Sequence, residues 1–333
     1  MNRGRALYLA FAASLSVACF LRPVPDDFDR YIYEALVRSR YQSVETIYPI
    51  IKHESPRAEA SAVLDSPTHL RQLLPLYAIR PTYVDVLSLV SRSGFSIQQS
   101  INLVSALSFF RIAIVLLPWT CNPLYCALLL ITPAVLVIGR LGTPDALSAL
   151  IVIAAFWALT QDRLVSGMSL LILSLWIRSD NALLVIAAIG WLVWKRKLPT
   201  VWGSLLALLD IAMVLFIHHE AGNYGWAALF RYSFVGGKYP AEMPSHVSML
   251  ECVRAFATGL QSLGPQLAPW ILLGIVAWRK DSRYREILTV VVMCVVAHFL
   301  LYPSPEGRYF VWAYLLTGIA CINSTDKNSD KAQ

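Results

Sequence analysis

Long, uninterrupted apolar runs constrain this chain more than any other feature. They reach about 16 to 22 residues, the length a helix needs to cross a ~30 Å hydrocarbon core. They do not alternate apolar with polar residues, so a membrane β-barrel is excluded. Of 333 residues, 57% are hydrophobic and only 15% charged, with a mean hydropathy of +0.56. That balance is too apolar for an ordinary soluble domain. The sequence therefore predicts one all-α domain, a polytopic transmembrane helix bundle.

Spans are placed at 6–21, 97–117, 121–138, 144–160, 164–177, 182–194, 200–218, 263–278, 287–302 and 309–322, about ten in all. Basic connectors, among them Arg3 with Arg5, Lys195 to Lys197, and Arg279 with Lys280, then fall on one side. The positive-inside rule makes that side cytoplasmic. Both termini are predicted there, in an inner (plasma) membrane of bacterial type. The first segment has the basic start and short apolar core of a signal peptide, yet the many spans after it favour an uncleaved helix. The spans at 164 and 182 are short, as tilted or broken helices lining a cavity would be.

Two large segments, 22–96 and 219–262, are predicted on the outer, periplasmic face, where together they form a small cap. In the first, Tyr31, Ile32, Ala35 and Leu36 make a helical stripe suited to lying along the membrane interface, and 83–89 carries a second stripe. Between them, Pro49, Pro56, Pro67, Pro75 and Pro81 predict irregular chain over 45–80. The polar tail 323–333 is predicted disordered. Cys19, Cys121, Cys126, Cys294 and Cys321 read as small apolar side chains in helices, with only Cys252 in a long loop. The net charge of +7 forms no stripe with interleaved aromatics, which excludes nucleic acid as a partner.

On this topology the outer face collects Asp26, Asp27, Asp29, Arg140, Asp145, Arg178, Asp180, His218, His219, Lys238, Glu306 and Arg308. The three carboxylates at 26, 27 and 29 follow directly on the first span. Asp26 can cap the helix that begins near Phe28, leaving a pair to serve as general base with an orienter or metal ligand. The 140–145 turn reads as a tight helical hairpin, with Thr143 capping and Pro144 opening the next helix. Arg140 there can grip a phosphate or snorkel to lipid headgroups. Arg178 and Asp180 interrupt two short apolar spans, where they can pair or bind substrate. Adjacent His218 and His219 point roughly 100° apart, so they read as cavity lining near a phosphate or sugar rather than as a metal pair. In the 302–309 turn, Arg308 and the start of the last helix both favour an anion.

Taken together, the acidic pair Asp26-Asp27, the Thr143-Pro144-Asp145 hairpin and the closing Glu306-Gly307-Arg308-Tyr309 turn resemble the GT-C class of integral-membrane glycosyltransferases. These enzymes take a sugar from a polyprenyl-phosphate carrier on the outer side of the membrane. The resemblance is one of plan and spans nearly the whole chain, though the chain is short for the class and no large soluble outer domain is legible after the bundle. It implies that Asp26 or Asp27 is the base on the acceptor nucleophile. Arg308, with Arg140 and Arg178 as further candidates, would hold the lipid phosphate, and the other outer-face residues would line the substrate site. The partners implied are a polyprenyl-phosphate sugar donor, a glycan or lipid acceptor, and membrane lipids. No cofactor is assigned, and a divalent cation stays open. Competing readings are a transporter or flippase of lipid-linked saccharides, whose paired inverted halves are not found here, and a non-catalytic membrane subunit.

Overall fold

A computed structural model describes residues 3–24, 27–54, 64–120, 122–237, 239–280 and 282–329, and every regular element among them is helical. After α1 (Arg3–Leu21) come four shorter helices, α2 (Phe28–Ser39), α3 (Val44–Glu54), α4 (Pro67–Ala78) and α5 (Pro81–Arg92). The bundle continues through α6 (Ile97–Thr120), α7 (Pro123–Leu130), α8 (Pro133–Ile138), α9 (Asp145–Thr160), α10 (Leu164–Ile177), α11 (Ala182–Trp194) and α12 (Thr200–Glu220). Short α13 (Trp226–Phe230) precedes α14 (Met249–Lys280), α15 (Ser282–Leu301) and α16 (Val311–Ser329).

Each predicted span is helical, and among the described residues five helices are long and apolar enough to cross a membrane, α1, α6, α12, α14 and, from Tyr284, α15, or six if the bent pair α4 and α5 counts as one. By length and composition the predicted count of ten is not confirmed. Helices α9, α10 and α11 have 16, 14 and 13 residues, about 20–24 Å at 1.5 Å per residue. Helix α9 sits inside the bundle, packed on α6, α10 and α16, whereas α10 and α11 each turn one face inward and leave Val165, Leu173, Ile186 and Trp194 exposed. Between α7 and α8 the helix is broken at Thr132, whose φ of −59° and ψ of 136° are those a following proline imposes.

The cap differs from its expectation. The described part of 45–80 is largely helical, with Pro49 inside α3 and Pro75 inside α4. A proline in a helix interior costs about 3 kcal/mol. Burying Ile47 and Ile51 on α3, or Leu70 and Leu73 on α4, returns on the order of 1.5–3 kcal/mol per side chain and outweighs it. Pro56 lies outside the described residues. Helix α2 is buried continuously from Tyr31 to Val37 against α3, α4, α5 and α6, a wider face than the predicted stripe of Tyr31, Ile32, Ala35 and Leu36.

In the second outer segment α14 begins at Met249 and takes Cys252 into a helix. It does join the first: Tyr239 donates to Asp65 at 3.2 Å and the Ala241 amide to Gln72 Oε1 at 3.1 Å. Instead of ending near 322, α16 runs on to Ser329, and Asn323 donates to the Trp119 carbonyl at 3.1 Å. At the end of the bundle away from the cap, Lys195 pairs with Glu286 and Lys197 with Asp162, so the basic connectors gather there.

Candidate functional site

The chain leaving α1 is clamped to the α8–α9 turn. The Val24 amide donates to the Arg140 carbonyl at 3.0 Å, and Arg140 Nε donates to the Arg22 carbonyl at 2.8 Å. This brings Asp27 to Gly142, whose amide donates to Asp27 Oδ2 at 2.6 Å. Only glycine permits the approach, because a Cβ at 142 would stand 2.7 Å from Arg30 Cβ and 3.0 Å from Ile101 Cγ2. Asp27 occupies the N-cap position of α2 yet makes no capping bond. Its carboxyl faces a cavity instead.

Burial, and then the charge of Asp29, push the Asp27 carboxyl up to about 6, against the opposing pull of Arg308 and the Gly142 amide. Asp29 goes the other way. Burial raises it too, but Arg308 Nη2 at 2.7 Å, the Tyr77 hydroxyl at 2.6 Å and the charge of Arg80 hold it below the usual carboxylate range. Two neighbouring carboxyls driven apart in this way are suited to different tasks, one taking protons and one remaining a fixed charge.

Behind this pair lies a buried knot of charge. Asp145 is 4% exposed and Arg178 5%. Arg178 pairs with Asp145 and forks onto Asp180 at 3.0 and 2.5 Å, with its guanidinium 4.7 Å from the Tyr309 ring centre. Asp180 also meets His298 Nε2 at 2.9 Å. Arg308 pairs with Glu306 and reaches Asp145 at 3.9 Å, linking the knot to Asp29. Thr143 does not cap α9: its hydroxyl donates to Asp145 Oδ2 at 2.6 Å, and the helix begins at Asp145. Burial raises the Glu306 carboxyl despite Arg308 beside it.

Three spaces meet here. A groove of about 1010 Å³ runs between the broken helix at Thr132 to Val137 and α14 at Pro265 to Leu273, ending on Asp27, Glu306 and Arg308. A throat of about 60 Å³ is lined by Asp29, Asp145, Arg80, Arg178 and Arg308. Beyond it a second cavity of about 360 Å³ lies among Leu76, Leu183, Val214 and Leu301, with Arg80, Asp180, His218 and His298 on its wall.

Of the sequence-predicted residues, Asp27, Asp29, Asp145, Arg178, Asp180, Glu306 and Arg308 come together, and His218 joins them through Ser179 Oγ at 3.1 Å. Arg140 is spent on the chain clamp, and His219 is exposed and lines none of the three spaces. Asp26 and Lys238 lie outside the described residues. Two contributors were not foreseen. Arg80 stands at the 107° corner between α4 and α5, hidden in a segment that its prolines made look irregular. His298 carried a legible signal, being an ionisable side chain inside an apolar span. No group of three or more metal-ligating side chains occurs among the described residues.

Fold and site together define a helical membrane protein with a charged centre at one end, flanked by two apolar spaces. No family model, curated protein or solved structure matches the chain.

Proposed function

We propose that this protein is a membrane glycosyltransferase that moves a sugar from a polyprenyl-phosphate donor to a glycan or lipid acceptor. The reading rests on one juxtaposition: a carboxyl at Asp27 tuned to about 6 stands on the wall of a large groove, and three guanidiniums line the throat that adjoins it. A base with a pKa near neutrality is mostly ionised at pH 7 and still accepts a proton. Guanidiniums in a site of low polarity stabilise the charge that develops on a departing phosphate.

In the reaction, Asp27 takes the proton of an acceptor hydroxyl as its oxygen forms a bond to the anomeric carbon. The bond from that carbon to the phosphate oxygen breaks, and its electron pair leaves with the polyprenyl phosphate. Direct displacement inverts the anomeric configuration. Gly142 holds Asp27 in register, and Asp29 holds Arg308.

The test is transfer in proteoliposomes from radiolabelled polyprenyl-phosphate sugars to candidate glycan and lipid acceptors. Wild type should form an inverted product, and Asp27→Asn should slow it on the order of 10²- to 10⁴-fold. Unchanged transfer in Asp27→Asn would refute the assignment of the base. Protein-dependent translocation of the intact lipid-linked sugar without transfer would establish the transporter reading instead.

A further inference from the structure

The charges are divided unevenly between the two apolar spaces. The groove carries three carboxylates, Asp27, Asp29 and Glu306, against one guanidinium, Arg308. The second cavity carries two guanidiniums, Arg80 and Arg178, against one carboxylate, Asp180. A phosphate placed in the groove would meet an excess of like charge, and in the second cavity it would complete a deficit. Inside a protein, where charges are poorly screened, that difference in sign is enough to decide between the two.

Arg80 sharpens the choice. Arg178 and Arg308 are each matched by carboxylates, but the Arg80 guanidinium meets no hydrogen-bond acceptor among the described residues. It lies over the rings of Tyr33 and Tyr77, 6.0 and 5.6 Å from their centres. Its position comes from the chain: Arg80 precedes Pro81, which disfavours helix there, so α4 and α5 meet in a corner that points the side chain inward. An unmatched guanidinium on a cavity wall asks for an anion.

The remaining walls ask for hydrocarbon. Leu76, Ile79, Leu183, Val214, Leu229 and Leu301 supply them. Helices α12 and α15 each pack on α11, and the cavity lies between the turns where they approach the cap. Val214 is six residues before the end of α12, about 9 Å along its axis. Exposed Trp226 and Leu301 stand at the rim, so the space opens to the surface of the bundle beside the cap.

We propose that the second cavity is the seat of the phosphate-bearing lipid donor, its phosphate on Arg80 and its chain running out between α12 and α15. The groove with Asp27 then belongs to the acceptor. The assignment depends on the transferase reading only in calling this lipid the donor; the site itself is tested by binding alone.

The probe is radiolabelled farnesyl phosphate, titrated into the purified protein in phosphatidylcholine nanodiscs, with farnesol and inorganic phosphate as controls. Arg80→Gln should weaken farnesyl phosphate at least ~10-fold, as loss of a charged hydrogen bond does, with Arg80→Lys between it and wild type. Farnesol binding should not respond to either. Ala182→Trp, and Val214→Trp from the opposite wall, should block the probe, whereas Leu273→Trp in the groove should leave it within about twofold. Binding indifferent to Arg80, or blocked by Leu273→Trp and not by the other two, overturns the proposal. So does equal competition by phosphatidylglycerol, which would make the cavity a general anionic-lipid site. Farnesyl phosphate held through Arg80 by a protein that transfers no sugar would sink the transferase reading and leave this site standing.

Discussion

Asp27 and Asp29 stand two residues apart and titrate in opposite directions, and the difference reaches both stability and pH dependence. For Asp27 the folded value of about 6 lies above the ordinary 3.8. A carboxyl raised on folding binds its proton more tightly in the native state. Its stabilising share is complete below the unfolded value and is lost as pH rises from about 4 through 6. Ionised Asp27 at pH 7 therefore works against the fold, and Asp27→Asn, which still accepts from the Gly142 amide, should raise the thermal midpoint by about 2–4 °C. The gain should vanish by pH 4, and a variant melting lower than wild type at pH 7 would contradict it. The same ionisation predicts a transfer rate that falls as pH drops below about 6. At this scale Asp27, Asp29, Arg178 and Arg308 were legible, because a charge at the end of an apolar run stands out. Arg80 was not, because only the corner at Pro81 gives it a direction, and two prolines in helices α3 and α4 disguised the segment around it.

Between elements, Arg178 is the tie that matters most. From the turn between α10 and α11 it reaches Asp145 at the start of α9, and Asp180 passes the connection to His298 on α15. Removing one member of a buried pair strands the other, at about 3–5 kcal/mol, whereas removing both can be nearly neutral. Arg178→Met should thus be strongly destabilising, and Asp145→Leu in the same chain should restore much of the loss. A double-mutant cycle on thermal or denaturant unfolding checks this, and strictly additive effects would deny the coupling. Helix α12 offers the opposite case. Asp210 lies midway along an apolar span, is 1% exposed, and neither of its carboxyl oxygens has a partner among the described residues. Burying a polar group unmatched costs about 1–3 kcal/mol. Asp210→Leu should recover that amount as a higher thermal midpoint, and a lower midpoint would point to a partner that the bare chain does not supply. The helical segments themselves were readable from hydrophobicity. Their depth in the bundle was not, because the apolar runs of α9, which is buried, and of α10 and α11, which keep exposed faces, look alike in sequence.

Over the whole molecule, the ends of the bundle differ in kind. Arg308 and Asp29 are far apart in sequence yet 2.7 Å apart in space, so the first and last polar turns share one end. The cap closes over that end, while Lys195 and Lys197 meet Glu286 and Asp162 at the other. A membrane that wraps such a bundle must hold the cap and the basic turns on opposite faces, since α1, α6, α12, α14 and α15 each run from one end towards the other. Two exposed positions make the claim measurable: Asp85 on α5 in the cap and Lys197 in the basic turn. With the cysteines Cys19, Cys121, Cys126, Cys252, Cys294 and Cys321 replaced, Asp85→Cys should react with an impermeant maleimide from outside intact cells. Lys197→Cys should react only after permeabilisation. If the basic turn lies inside, as the positive-inside rule predicts, the groove, throat and second cavity all face outward. Labelling of both positions from one side would remove the transmembrane frame on which the transferase reading depends. Exchange of the two patterns would keep the frame and put the chemistry on the cytoplasmic face.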